Sequence, residues 1–242
     1  MYIGSNDVTA TELNEVTEDH LDIFLEERNV PFDVIDELTY YGKLEIYNTL
    51  DADAVFDSYA NEDVVLEDDS LGLQPFTIPK SQLDLRVSRF RNSDGTYSFY
   101  PSFIWNVRSR LRNDTFGFVL DSNNWTTVAG NVGLTAYVMN YTPGNHDSIY
   151  YDRATTSDYA EHAFKIPSNH FTTNYLHHEG HTHFRARPRG SSIDRRMILK
   201  YGDDTRSVIT SASYGISFGI FNLSFSNTPS GFRETNETLS WE

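Results

Sequence analysis

The chain has 242 residues, of which 38% are hydrophobic and 14% aromatic, and it carries a net charge of −16. This apolar content is enough for a folded core and excludes a disordered protein. Cysteine is absent, which excludes disulfides, thiolate zinc sites and cysteine nucleophiles, and no apolar run approaches the ~18 residues of a membrane-spanning helix.

The charge is distributed unevenly. Residues 1–79 carry 20 acidic and 2 basic residues, whereas residues 80–242 carry 15 acidic and 17 basic residues. We therefore predict two chemically different parts: an acidic helical module with its linker over residues 1–75, and a nearly neutral domain over residues 80–242.

Three short helices are predicted between residues 17 and 50. Thr17 is a suitable N-cap for the first helix and Thr39 for the third, because a threonine side chain can accept a hydrogen bond from the first turn. Apolar residues recur at helical spacing within each helix, and Asn29-Val30-Pro31 ends the first one. The acidic stretch over residues 51–70 lacks the spacing of a calcium loop and is interpreted as a solvated linker.

From Leu83 onward, apolar and polar residues alternate with the period of a β-strand. A hairpin-type turn is predicted at Asn92-Ser93-Asp94-Gly95. Later strands are predicted over residues 116–120, 126–141, 159–166, 171–177, 181–187, 196–201 and 207–225. The fold class is therefore α+β overall, with an antiparallel β-sandwich or jelly-roll-like domain after the helices; a closed barrel is the alternative.

The most specific chemical signal is a histidine cluster, with four histidines at positions 177, 178, 181 and 183. If Glu179-Gly180 forms a two-residue hairpin loop with positive φ at glycine, then His178, His181 and His183 share one face. If the segment is one continuous strand, then His177, Glu179, His181 and His183 share a face instead. Either arrangement could bind zinc or another divalent metal, and the alternatives are a structural strand or a pH-sensitive surface.

The segments Gly144-Asn145-His146-Asp147 and Gly180-His181-Thr182-His183 resemble two metal-binding motifs of the calcineurin-like metallophosphoesterases. The resemblance implies that Asn145 and His146 serve a second metal and phosphate, with Asp147 beside them, and that His181 and His183 bind the paired metals. The family's upstream Asp-x-His and Gly-Asp-x-x-Asp motifs have no match before residue 144. A metal-dependent hydrolase is therefore an alternative function.

Arginines recur at strand spacing in two triplets, Arg108, Arg110 and Arg112, and Arg185, Arg187 and Arg189. Each triplet places three guanidinium groups on one face of a strand and could bind a partner. The charge of the whole chain disfavours nucleic acid as that partner. We expect instead that the acidic N-terminal residues contact these arginines, in the same chain or in a neighbouring copy.

Trp105 and Trp125 are candidates for a carbohydrate-stacking platform, with a place in the core as the alternative. Taken together, the sequence predicts a non-enzymatic binding protein whose β domain binds a protein or glycan ligand. A structural component of a surface or virion assembly is a further alternative. The scarcity of lysine and the abundance of Tyr, Asn, Ser and Thr favour an extracellular or cell-surface location over the cytosol.

Overall fold

A computed structural model describes twelve segments of the chain, which together contain three helices and fourteen strands. The described residues are 16–61, 78–107, 114–120, 123–128, 133–139, 149–155, 161–166, 177–190, 196–204, 215–219, 222–226 and 232–240. The helices are α1 (Glu18–Glu26), α2 (Phe32–Glu37) and α3 (Tyr40–Thr49). The strands are β1 (Val55–Ala60), β2 (Leu83–Arg91), β3 (Tyr97–Trp105), β4 (Asp114–Leu120), β5 (Trp125–Thr127), β6 (Gly133–Met139), β7 (Ile149–Thr155), β8 (Glu161–Ile166), β9 (His177–Thr182), β10 (Phe184–Pro188), β11 (Arg196–Asp204), β12 (Gly215–Gly219), β13 (Asn222–Ser226) and β14 (Phe232–Ser240).

The three predicted helices are confirmed, and so are both threonine caps. The side chain of Thr17 accepts a hydrogen bond from the backbone N–H of His20 at 3.3 Å, and that of Thr39 accepts one from Gly42 at 3.2 Å. Asn29 follows α1 with a left-handed φ of 62°, a conformation that asparagine adopts readily where a helix ends. Local sequence signals therefore determine these helices.

The strands are mainly antiparallel, and the α+β class is confirmed. Eight strands form the largest sheet, in which β1-β2-β3-β9-β6-β7 run side by side and β10 pairs with β3 and β5. A second sheet has the order β14-β11-β4-β8, and β12 pairs with β13. The β-sandwich and jelly-roll descriptions of the domain remain predictions.

Three sequence predictions need correction within the sheets. Residues 55–60, predicted as part of a solvated linker, form the edge strand β1 paired with β2. The predicted strand over residues 126–141 is divided into β5 and β6, and the one over 207–225 contains the β12–β13 hairpin. The strands β7 and β14 were not predicted at all, because their sequences lack clear apolar alternation.

A shared core joins the two larger sheets. Phe103 of β3 lies 4.8 Å from Tyr201 of β11, measured between ring centroids, and Phe118 of β4 stacks on Phe184 of β10 at 4.9 Å. All four side chains are buried. Burial of this much aromatic surface is the main contribution to the stability of this layer.

The helices cover the opposite face of the large sheet. Leu25, Ile35 and Ile46 of the helices belong to one buried cluster with Phe90 of β2 and Tyr100 of β3. Strand β2 is consequently buried on both of its faces, since its alternate residues Leu83, Leu85 and Val87 contribute to the core between the sheets. The acidic module and the β domain thus share a hydrophobic interface.

The predicted turn at residues 92–95 is confirmed. Gly95 has a φ of 78°, and its amide donates to the carbonyl of Asn92 at 3.1 Å. A Cβ at this position would meet no atom within 4 Å, so only the backbone conformation opposes a side chain. We expect Gly95→Ala to lower the free energy of unfolding by about 1 kcal/mol, and Gly95→Asn to cost less; urea denaturation of the two variants measures both effects.

Candidate functional site

The histidine cluster lies on a continuous central strand, so the two-residue hairpin prediction is wrong. Strand β9 pairs with β3 on one side and with β6 on the other. Gly180 does not have positive φ; a Cβ on Gly180 would lie 2.2 Å from Cε1 of Phe103. Glycine is needed here because the ring of Phe103 occupies the space of a side chain.

The second prediction, one continuous strand, determines which residues share a face. Gly180 faces the core between the sheets, so the alternation of a strand puts His178 on that side as well. Glu179 and His181 lie on the opposite side, beneath α3, where a Cβ on Gly42 would be 3.2 Å from Cε1 of His181. The hairpin face that would bring His178 and His181 together therefore does not form.

His183 lies at the break between β9 and β10 and has a different partner. Its Nδ1 is 2.7 Å from Oε1 of Glu45 on α3. Among the described residues, no group of three or more His, Cys, Asp or Glu side chains is arranged to hold a metal ion. His146 and Asp147 of the resemblance to the metallophosphoesterases lie outside the described residues.

Glu179 is the most unusual group on this strand. Its side chain is 1% exposed, and neither carboxylate oxygen accepts a hydrogen bond from any group in the described part of the chain. Its ionic contact there is with His181, whose Nε2 lies 3.4 Å from Oε2 of Glu179. A buried carboxylate with so few partners is costly in a folded protein, so its occurrence requires an explanation.

Glu179 and His181 are both buried. Burial and the nearby charge of Glu179 raise the pKa of Tyr41 on α3 to about 12. His181 also lines a cavity of about 10 Å³, together with Ser102 and Tyr100. That volume is enough for about one water molecule, so it does not admit an organic substrate in this conformation.

The acidic module and the second arginine triplet are in contact. Arg185 pairs with Asp51, which follows α3, at 3.0 Å and with Asp94 of the β2–β3 turn at 3.2 Å. Hydrogen bonds from Thr96 and, to a smaller extent, the positive charges of Arg185 and Arg187 lower the pKa of Asp94. The expected acidic contact is therefore present at Arg185.

The other predicted arginines are placed differently. Arg187 and Arg189 are exposed, and Nε of Arg189 donates to the hydroxyl of Thr126 at 2.5 Å. The first triplet, Arg108, Arg110 and Arg112, lies outside the described residues.

The carbohydrate-stacking prediction is wrong for both tryptophans. Trp105 is 2% exposed and Trp125 is 1% exposed. Trp125 packs edge-on against Phe99 and Tyr97, with ring centroids 5.3 and 5.6 Å away. Both indoles belong to the core and offer no face to a sugar.

Sequence reasoning missed the helix residues that meet the strand. Tyr41, Gly42 and Glu45 of α3 all approach β9 or the residue that follows it. The available signal was the spacing of Gly42 and Glu45 on a helix, since residues three apart share a face. That spacing identifies a face but does not say what the face contacts.

Comparisons with known proteins add little. No family model matches the sequence, and no curated protein matches it. One similar solved structure is described as "AvmM Catalyzes Macrocyclization in Alchivemycin A Biosynthesis"; it is 10% identical, with 61% of this chain and 81% of that chain covered and a TM-score of 0.22. That similarity is too low to support an inference about this chain. None of the described helices is long and apolar enough to cross a membrane.

Proposed function

We propose that this chain is a non-enzymatic binding protein whose helical layer carries the partner surface. The observation that supports this most strongly is the exposure of two large apolar side chains on the helices. Phe32 of α2 is 71% exposed and Ile23 of α1 is 55% exposed, more than any other large apolar residue in the described segments. Exposed aromatic residues of this kind often anchor protein interfaces.

Charge indicates the kind of partner. Residues 16–61 contain 12 acidic and 2 basic residues. The exposed carboxylate of Asp33 follows Phe32 in sequence, and the exposed Asp36 lies on the same helix. Such a surface attracts a partner that combines positive charge with apolar side chains.

The two basic residues of this layer do not offset its charge, because both have contacts within the module. Lys43 is buried and pairs with Asp22 at 2.7 Å and Glu18 at 3.0 Å. Arg28 lies over the ring of Phe24, with Cζ 3.4 Å from the centroid, and donates to the carbonyl of that residue. The outer surface is thus left strongly acidic. The proposed partner is a protein segment with basic and apolar residues.

A pair of peptides tests this proposal. The first is an amphipathic Leu/Lys helix; the second has the same charge but serine in place of leucine. We expect the full chain to bind the leucine peptide more tightly in calorimetry. Phe32→Ser should weaken that binding by about tenfold, as expected when an interface anchor is lost. Val128→Ser, which removes an exposed apolar residue of the β domain, should leave it unchanged.

The double charge reversal Asp33→Lys/Asp36→Lys should weaken the binding and reduce its dependence on salt. Equal binding of the two peptides would show that net charge alone causes the binding, and this would contradict the proposal. So would equal loss of binding in the Phe32 and Val128 variants.

The metal-dependent hydrolase and the structural assembly component remain alternative proposals. The hydrolase requires a metal together with the segment around His146 and Asp147. Binding of zinc or another divalent metal is likewise a proposal for this chain.

A further inference from the structure

We propose that the acidic surface on α2 binds a second copy of this chain, at a basic patch formed by Thr126, Val128, Arg187 and Arg189. The inference rests on the proposed function, because it uses the same helical surface, and it adds the identity of the partner. The contact joins two unlike surfaces of the molecule, one from the helical module and one from the β domain.

The two arginines of the basic patch lie on one face of the large sheet. Ala186 is buried in the core between the sheets, so the alternation of a strand puts Arg187 on the other face. Nε of Arg189 donates to the hydroxyl of Thr126, and Thr126 lies directly opposite Arg187 in the pairing of β10 with β5. Both guanidinium groups are exposed on the same side of the sheet.

These two guanidinium groups have no carboxylate partner in the part of the chain that the structure describes. Arg185 pairs with Asp51 and Asp94, whereas neither Arg187 nor Arg189 forms an ion pair with a described residue. Because the nearby carboxylates are already paired with Arg185, the two outer arginines are available to the carboxylates of another molecule.

An exposed apolar side chain adjoins the arginines. Val128 is 37% exposed, and its N–H donates to the carbonyl of Arg185 at 2.8 Å, which extends the pairing of β5 with β10 by one residue. Val128 is therefore a diagonal neighbour of Arg187 on the same face. The patch combines positive charge with an apolar side chain, the combination that the surface on α2 attracts.

The acidic surface matches the patch in spacing as well as in charge. Asp33 and Asp36 are exposed and lie one turn apart on α2, which places their Cβ atoms about 5–6 Å apart. Arg187 and Arg189 are two residues apart in extended chain and so are separated by about 7 Å. Each carboxylate can therefore meet one guanidinium group, while the exposed aromatic ring of α2 packs against the apolar part of the patch.

Within one chain the two surfaces lie over different strands. Glu37 of α2 accepts hydrogen bonds from Tyr59 of β1 and from Asn61, so α2 lies near the β1 edge of the sheet. Strands β10 and β5 lie beyond β3, on the other side of β2. The contact therefore requires a second molecule, and because the two surfaces are unlike, it can repeat from copy to copy.

Sedimentation velocity of the full chain at several concentrations tests the proposal. We expect the average mass to rise with protein concentration and to fall again at high salt. Arg187→Glu should weaken the association by about tenfold or more, because it places like charges opposite each other. Arg91→Glu is the matched control and should leave the association unchanged. Arg91 is also exposed, but it follows Phe90, which packs against the helices, and so it lies on the other face of the sheet.

Mixing two variants tests whether unlike surfaces meet. Asp33→Lys/Asp36→Lys retains the basic patch, and Arg187→Glu/Arg189→Glu retains the acidic surface. Each variant alone should show native circular dichroism and stay monomeric, and an equimolar mixture should form a one-to-one complex. Failure of the mixture to associate, or equal weakening by Arg187→Glu and Arg91→Glu, would overturn the proposal.

Peptide binding distinguishes this inference from the proposed function. Val128→Ser should weaken the association of the chain, although its binding of the leucine peptide, measured on the dilute monomer, stays unchanged. A wild-type chain that binds the leucine peptide but remains monomeric at every concentration would overturn this inference and leave the proposed function intact. Absence of both peptide binding and association would overturn both.

Discussion

Gly180→Ala is expected to destabilise the protein by about 3 kcal/mol, the upper part of the range for overpacking a core. The added Cβ would lie 2.2 Å from Cε1, 2.6 Å from Cζ and 2.9 Å from Cδ1 of Phe103. That ring is fully buried and is held between Phe116 and Tyr201, at centroid distances of 5.2 and 4.8 Å. Either the ring or the central strand β9 must therefore move. Urea denaturation measures the resulting decrease in the free energy of unfolding.

Gly190→Ala is the matched control, because a Cβ there would meet no atom within 4 Å and its φ is not left-handed. Its effect should be within ~0.5 kcal/mol, as for most surface substitutions. The double variant Gly180→Ala/Phe103→Leu should recover part of the loss relative to the sum of its single variants, since a smaller side chain leaves room for the methyl group. Similar stabilities of the Gly180 and Gly190 variants would contradict the geometry.

The helices could be predicted from sequence because their determinants are local. Thr17 caps α1 and Thr39 caps α3, and the apolar spacing within the helices identifies their buried faces. Strands depend on partners far along the chain, and a polar strand gives little local signal. Strand β14 pairs with β11 over nine residues, and a window confined to its own sequence does not show that pairing.

The candidate site was predicted in composition but not in geometry. The cluster around residues 177–183 was identified as the main chemical signal, and one of two predicted arrangements is the continuous strand. Choosing between them required the pairing of Glu179 with Ile104 of β3 and Tyr137 of β6, because a strand flanked on both sides cannot turn at Gly180. The hairpin interpretation relied on local turn preference, which this tertiary pairing overrides.

The sequence predicted that acidic residues of the helical module contact arginines of the β domain, but it did not predict which residues meet. Charge counts suggested that acidic residues would meet arginines, and Asp51 does pair with Arg185. The same counts could not show that the interface is also hydrophobic, with Phe90 and Tyr100 covered by the helices. Two halves of opposite composition can share a core when the apolar residues of each face one another.

The second large effect is expected at alkaline pH, where stability should fall steeply above about pH 10. Tyr41, Tyr100 and Tyr201 are buried, and burial raises the pKa of each hydroxyl above its ordinary value of 10.0. For Tyr41 the raised pKa is about 12. A buried phenol must lose its proton into a poorly solvated environment, and the nearby charge of Glu179 or Asp114 adds to that cost for Tyr41 or Tyr201.

The direction of the stability change follows from which state binds the proton more tightly. Below pH 10 these tyrosines are protonated in both the folded and the unfolded state, and their full contribution to the free energy of unfolding is present. Between pH 10 and 12 the unfolded chain loses the proton of Tyr41 while the folded chain retains it, so the free energy of unfolding falls as pH rises. At about 1.4 kcal/mol per pKa unit, Tyr41 alone accounts for a loss on the order of 2–3 kcal/mol by pH 12. Tyr100 and Tyr201 change stability in the same direction.

Lys43 adds to the same trend. Burial lowers its pKa, but hydrogen bonds and ion pairs with Asp22 and Glu18 outweigh that effect, and the pKa is raised overall from 10.5. The unfolded chain therefore loses the lysine proton first, and the contribution of these pairs disappears as pH rises through the raised value. Exposed acidic partners limit the size of this effect.

Urea denaturation at pH 8, 10 and 11 measures the slope, and absorbance near 295 nm follows ionisation of the tyrosines. We expect the buried tyrosines to ionise only as the protein unfolds, after the exposed ones. Tyr41→Phe should lose less stability between pH 8 and 11 than the wild-type chain does, because phenylalanine cannot ionise. A stability that stays constant to pH 11, or ionisation of all 15 tyrosines near pH 10 without unfolding, would show that these phenols are not buried as described.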